Sequence, residues 1–156
     1  MRDAVGGSSL LYLVIIFVTV VMIMFSSILT YSKAYKVKNR IIEIIEKHGT
    51  YAETIARNEI NPDLSMAGYN SSNPDCSSIK DKLTKGSNAK YQNLVGNLNK
   101  YGYNYCVFES DNTTAISGGK YYVVVAFVEF QVPVIGDLLT FPVYGETQIL
   151  GKNYDY

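Results

Sequence analysis

The chain holds few reactive side chains: two cysteines, Cys76 and Cys106, and one histidine, His48. An even pair about 30 residues apart suits a disulfide that closes a loop in an oxidising compartment, worth roughly 3–4 kcal/mol through restriction of the unfolded chain. The alternative is two buried thiols. Neither a C-x-x-C pair nor the Cys/His spacing of a zinc site is present. His48 falls in a helical pattern among apolar neighbours, and one histidine builds neither a triad nor a His-based metal site within one chain. No phosphate loop, G-x-S-x-G elbow or H-E-x-x-H stretch occurs. Glu129, Glu146 and Asp137 are the carboxylates nearest to forming a pair, but their strand-end positions suit solvated charges better. The expectation is therefore no catalytic residue, no metal ligand, no cofactor and no enzyme.

Two weaker patterns remain. Asn70-Ser71-Ser72 and Asn112-Thr113-Thr114 fit the N-x-S/T glycosylation pattern, which chance also supplies in a chain rich in Asn and Ser. Of fourteen tyrosines, those at Tyr101, Tyr103, Tyr105, Tyr154 and Tyr156 are candidates for a contact surface, because tyrosine gives large contact area at low entropic cost. Zero net charge and the lack of a basic stripe give no electrostatic case for nucleic acid.

The element that positions everything else is N-terminal. Residues 1–9 form a short polar leader, and the run from 10 to 32 is apolar and uncharged, close to the ~20 residues that cross a bilayer core. Helix is the form expected there, since lipid offers the backbone no partners. The run is longer than a cleaved signal's apolar region and lacks its basic start. Tyr12, Tyr31 and Tyr35 flank it, where aromatic rings settle at headgroup level. Orientation is contested: Lys33, Lys36, Lys38 and Arg40 after the span argue for a cytoplasmic C-terminal part, while the cysteine pair argues for an oxidising side.

From 33 to about Arg57 the apolar positions Ala34, Val37, Ile41, Ile44, Ile45, Tyr51, Ala52 and Ile55 keep helical spacing. This predicts an amphipathic continuation of the same helix, stopped by Asn61-Pro62-Asp63. Residues 58–156 then read as one small α+β domain. A polar loop follows to Asp75, with a short helix over Ser77–Thr84 and a second over Asn88–Tyr101 that would cover a sheet. Strands are expected over Tyr103–Glu109, Lys120–Val132 and Leu139–Leu150, in an antiparallel meander of three to four strands. Turns are marked by Asp111-Asn112, Ser117-Gly118-Gly119 and Ile135-Gly136-Asp137. Pro133 and Pro142 suit strand ends or edges.

This layout of polar leader, Gly6-Gly7, apolar helix, amphipathic continuation and C-terminal antiparallel sheet resembles a type IV pilin-like subunit, and most resembles the minor pilins of the tight-adherence (Tad) pilus. The motifs are Gly6 followed by Gly7-Ser8-Ser9-Leu10-Leu11-Tyr12, and the strand–turn–strand ending from Val123 to Gly151. In that family a prepilin peptidase cuts after such a glycine, so the resemblance implies a cut between Gly6 and Gly7. Tyr12 would then be sixth in the mature chain, where these pilins often carry tyrosine. Leu11 stands where most members have a glutamate, an absence shared by some tip-type subunits.

The resemblance implies a structural subunit of a pilus or related secretion filament, with its domain extracytoplasmic and the whole assembled at the cell surface. Its partners would be membrane lipid before assembly and other pilin-like subunits, in a homo- or hetero-oligomer. Ser8, Ser9, Leu11, Tyr12, Val37, Ile41, Ile44 and Ile45 would be the helix-packing positions, with small residues permitting close approach at one end. Two other readings stay open: a bitopic membrane-anchored interaction protein that does not polymerise, and a domain secreted after a cut at Ala34.

Overall fold

A computed structural model describes residues 2–69, 76–86, 91–97, 105–110, 119–131 and 138–150. The polar stretch 70–75, both glycosylation patterns, the turns at 111–112, 117–118 and 135–137, Pro133, and the tyrosines at 101, 103, 154 and 156 lie outside the described residues.

Helix α1 (Arg2–His48) takes in leader, span and amphipathic segment as one element of 47 residues, about 70 Å long at 1.5 Å per residue. Its two halves differ as their sequences do. From Leu10 to Leu29 the large apolar side chains are mostly exposed, whereas Ala34, Val37, Ile41, Ile44 and Ile45 are buried.

The helix ends sooner than its periodicity implies. Gly49 takes φ +69, a left-handed conformation that suits glycine, and its N–H donates to the Glu46 carbonyl at 3.3 Å, so the chain turns back after His48. A second helical stretch follows: α2 (Glu53–Ile55), a π-helical turn (Ala56–Ile60) and α3 (Asn61–Met66). Asn61-Pro62-Asp63 thus opens α3 rather than stopping the helix. Proline's ring crowds the carbonyl four residues earlier and its nitrogen donates nothing, and the wider π turn just before it accommodates both. At the far end Gly68 (φ +62) donates to Ser65 and Tyr69 N–H donates to the Leu64 carbonyl, both at 3.0 Å. That is a Schellman cap, and its apolar pair, Leu64 and Tyr69, lies in the core.

The sheet is a four-stranded antiparallel meander in the order β1-β2-β3-β4, built from β1 (Tyr91–Asn97), β2 (Tyr105–Ser110), β3 (Tyr122–Gln131) and β4 (Leu138–Glu146). The class is α+β. Strand β1 occupies the centre of the segment expected to be a helix. Its pairing with β2 carries two register irregularities, between Tyr91 and Asn93 and between Leu94 and Gly96. These break the period-2 alternation that would have marked a strand, while Leu94 and Gly96 gain ladder partners in Phe108 and Val107.

Both faces of the central strands are covered. Tyr105, Val107, Tyr122, Val124 and Ala126 pack on α1 and on Ala56, Ile60, Leu64 and Tyr69. Cys106, Phe108, Val123, Val125 and Phe127 pack on Cys76 and Ile79 of α4 (Cys76–Gly86). The helix on this second face is the one expected at Ser77–Thr84. A layer on each side explains why β3 reads as a continuous apolar run.

Candidate functional site

The positions proposed for helix packing divide into two groups. Ser8, Ser9, Leu11 and Tyr12 are exposed, Leu11 by 62% and Tyr12 by 67%. Val37, Ile41, Ile44 and Ile45 are buried against the chain's own sheet, so they hold the domain to its helix and are not available to a neighbour. Gly6 and Gly7 lie within the first turns of α1. The polar side chains of the span are largely satisfied within the helix: Thr19, Ser27 and Thr30 donate to the carbonyls of Ile15, Ile23 and Ser26 at 2.8, 2.8 and 2.9 Å. Such back-bonding hides hydroxyls from an apolar surrounding. The outcome is an apolar rod that the described domain does not cover.

At the end of this rod the helix surface changes. Tyr31 and Tyr35 stack with ring centroids 6.5 Å apart, and Lys38 Nζ lies 4.3 Å from the centre of the Tyr35 ring. Lys38 is only 8% exposed, because its stem runs over Gly145, where an added Cβ would meet Lys38 Cδ at 2.6 Å. Arg40 pairs with Asp63 at 2.6 Å and with Glu43 at 2.9 Å. Two of the four cations that bear on membrane orientation are therefore engaged with the domain itself.

Cys76 and Cys106 form a disulfide, with Cα atoms 5.9 Å apart. The bridge joins the first residue of α4 to the second residue of β2, on the sheet face away from α1. On the opposite face Tyr69 completes β3: its hydroxyl accepts from Phe127 N–H at 2.8 Å and donates to the Phe127 carbonyl at 3.2 Å. Both Phe127 groups thus point away from β4, and Pro142, its register partner, sits where no ladder bond is asked of it. The missing donor falls on the outer edge of β4, which is a sheet edge. A proline there weakens the edge as a template for strand addition.

Other polar groups come together in ways the sequence conceals. His48 is not among apolar neighbours: its Nε2 lies 2.8 Å from Glu59 Oε1, and Lys47 Nζ lies 3.2 Å from Glu59 Oε2. The hydrogen bonds from His48 and then Lys47 hold the Glu59 carboxyl below its usual range. Glu129 pairs in register with Thr140 and Glu146 with Val123, so these carboxylates sit toward opposite ends of the ladder and form no dyad. A cleft of about 470 Å³ is lined by Thr50, Tyr51, Glu109, Lys120 and Tyr122 among others, with Lys120 Nζ 2.7 Å from Glu109 Oε1. Beneath it Tyr105 is fully buried, which removes it from any contact surface. Burial raises its hydroxyl pKa far above the usual value, with nearby Tyr51 adding to the effect, yet the two hydroxyls do not meet in hydrogen-bond geometry. No sequence spacing signals these contacts, which join residues 11 or more positions apart. Among the described residues no three His, Cys, Asp or Glu side chains group as metal ligands would.

Comparison with family models, with curated proteins and with solved structures found no match.

Proposed function

We propose that the chain is a structural subunit of a type IV pilus-like filament, of the minor-pilin kind found in tight-adherence pili. The observation that carries the reading is the division of α1: the apolar stripe Ala34, Val37, Ile41, Ile44 and Ile45 is buried while the large apolar side chains of 10–29 stay mostly exposed. A bare apolar helix is stable in lipid and equally stable in a bundle of like helices, so transfer from one to the other costs little and packing of small residues such as Ser8 and Ser9 can drive it. The domain, fixed to the helix beyond, would then tile the outside. The disulfide supports an extracytoplasmic domain, since such bridges persist in oxidising compartments.

A bitopic protein that never polymerises is the second reading, favoured by Leu11 in place of the family's glutamate and by Lys33 and Lys36 just after the span. Intact-mass and N-terminal peptide analysis of protein from its native membrane, with thiol alkylation before reduction, separates the two. The filament reading expects a chain that begins at Gly7 with Cys76 and Cys106 protected. An unprocessed chain with both thiols alkylated would sink it.

A further inference from the structure

We propose that the end of the sheet where β3 meets β4 seats on the phospholipid headgroup layer beside the exit of α1, so that the domain rests on the membrane rather than standing clear of it. This rests on α1 crossing the bilayer, not on filament assembly. The uncharged run closes at Ser32 and the first residue sealed by the domain is Ala34, which leaves no spacer between lipid and fold.

The direction of the sheet follows from three contacts. Gln148 N–H donates to Glu46 Oε1 at 2.8 Å, and the Thr50 and Tyr122 hydroxyls lie 3.2 Å apart, so the Tyr122–Glu146 end of the ladder stands far from the span. Gly145 lies against Lys38 and Ile42. From there β4 runs back toward the membrane, and Phe141, four residues away, is about 13 Å along it. That distance equals about nine residues of helix, which brings Phe141 level with the last turn of the span, somewhat less where strand and helix cross. The Gln131–Leu138 pair lies three register positions further still.

The second helical stretch points the same way, because Glu59 meets Lys47 and Asp63 meets Arg40. Its last residue, Met66, is 85% exposed, and Phe141 is 50% exposed. With Tyr31 and Tyr35 they make an apolar rim at one end of the domain, and exposed Lys33 and Lys36 supply charge that suits anionic headgroups. Single exposed apolar residues are ordinary on any surface; here they gather at the end continuous with the span. The uncharged run from Ala4 to Ser32 is about 43 Å as helix, well beyond the ~30 Å hydrocarbon core, so its last turns can stand in the headgroup layer beside this rim.

The chain has no tryptophan, so Phe141→Trp is a single reporter. The full-length variant would be reconstituted in vesicles of phosphatidylcholine and phosphatidylglycerol containing lipids brominated at shallow or deep acyl positions. Val20→Trp in the span and Ile149→Trp at the far end of the sheet serve as references. The seat predicts loss of F141W emission with shallow bromines and protection from aqueous iodide, deep-bromine quenching of V20W, and no bromine quenching of I149W. F141W open to iodide and untouched by bromine, with V20W quenched, overturns the seat and leaves the anchor standing. V20W unquenched overturns both. Should F141W misfold, Met66→Trp, on the same rim, decides by the same criteria.

Discussion

Gly96 has no side chain where one could not fit: a Cβ there would lie 2.7 Å from the Tyr51 ring. Gly96→Ala is expected to destabilise the domain by about 1–3 kcal/mol through overpacking, and the loss should shrink in a Tyr51→Ala background, as a double-mutant cycle in urea would show. At Glu59 the prediction concerns pH. Its folded-state pKa lies below the ordinary value, so its contribution is present above the unfolded value of about 4.3 and is lost as pH falls through the folded one. Thermal melts from pH 7 to 3 should therefore show an acid limb that is shallower in Glu59→Gln; an unchanged limb would mean that the pair is fully screened.

Among the elements, α1 is a single helix with two solvents. Ile41 and Ile45 are wholly buried in the domain core, and truncating either to alanine should cost about 2–5 kcal/mol of domain stability. Val20→Ala, on the bare half, should leave that stability unchanged, and chemical denaturation followed by near-ultraviolet circular dichroism of the tyrosines would report both. The disulfide joins α4 to β2 across 30 residues. Replacing both cysteines with alanine should lower stability by about 3–4 kcal/mol on the chain-entropy account, and a change under 1 kcal/mol would mean that apolar packing alone holds α4 to the sheet.

For the molecule as a whole, among the described residues the two core clusters draw on nothing before Val37. A chain of residues 33–156 is accordingly expected to keep the sheet and the disulfide and to need no detergent, which nitrogen-15 correlation spectra and gel filtration would test. Collapse of that fragment would show that the span contributes to folding as well as to anchoring. The same separation of core from span underlies the filament proposal, since the rod can change its surroundings from lipid to protein without disturbing the fold.

The sequence by itself determined what depends on local pattern: an apolar run of membrane length, the amphipathic stripe from Ala34 to Ile45, the helix over Ser77–Thr84 and the three C-terminal strands. Hydrophobic periodicity carries that information along the chain, and an even count of cysteines pointed to the disulfide, which the fold decided over two buried thiols. Tertiary structure alone decided the rest. Whether Tyr91–Asn97, within the segment expected to be helical, is helix or strand depended on a free edge of β2 and on two register irregularities that erased its alternation. Where α1 ends depended on one glycine's positive φ, and Pro142 is tolerated because its register opposite Phe127 turns its missing donor to the outer edge of β4. The packing stripe on α1 fits a neighbour or the chain's own sheet equally well in pattern; only the fold, by placing β3 and β4 against it, fixed which surface it covers and left the span bare.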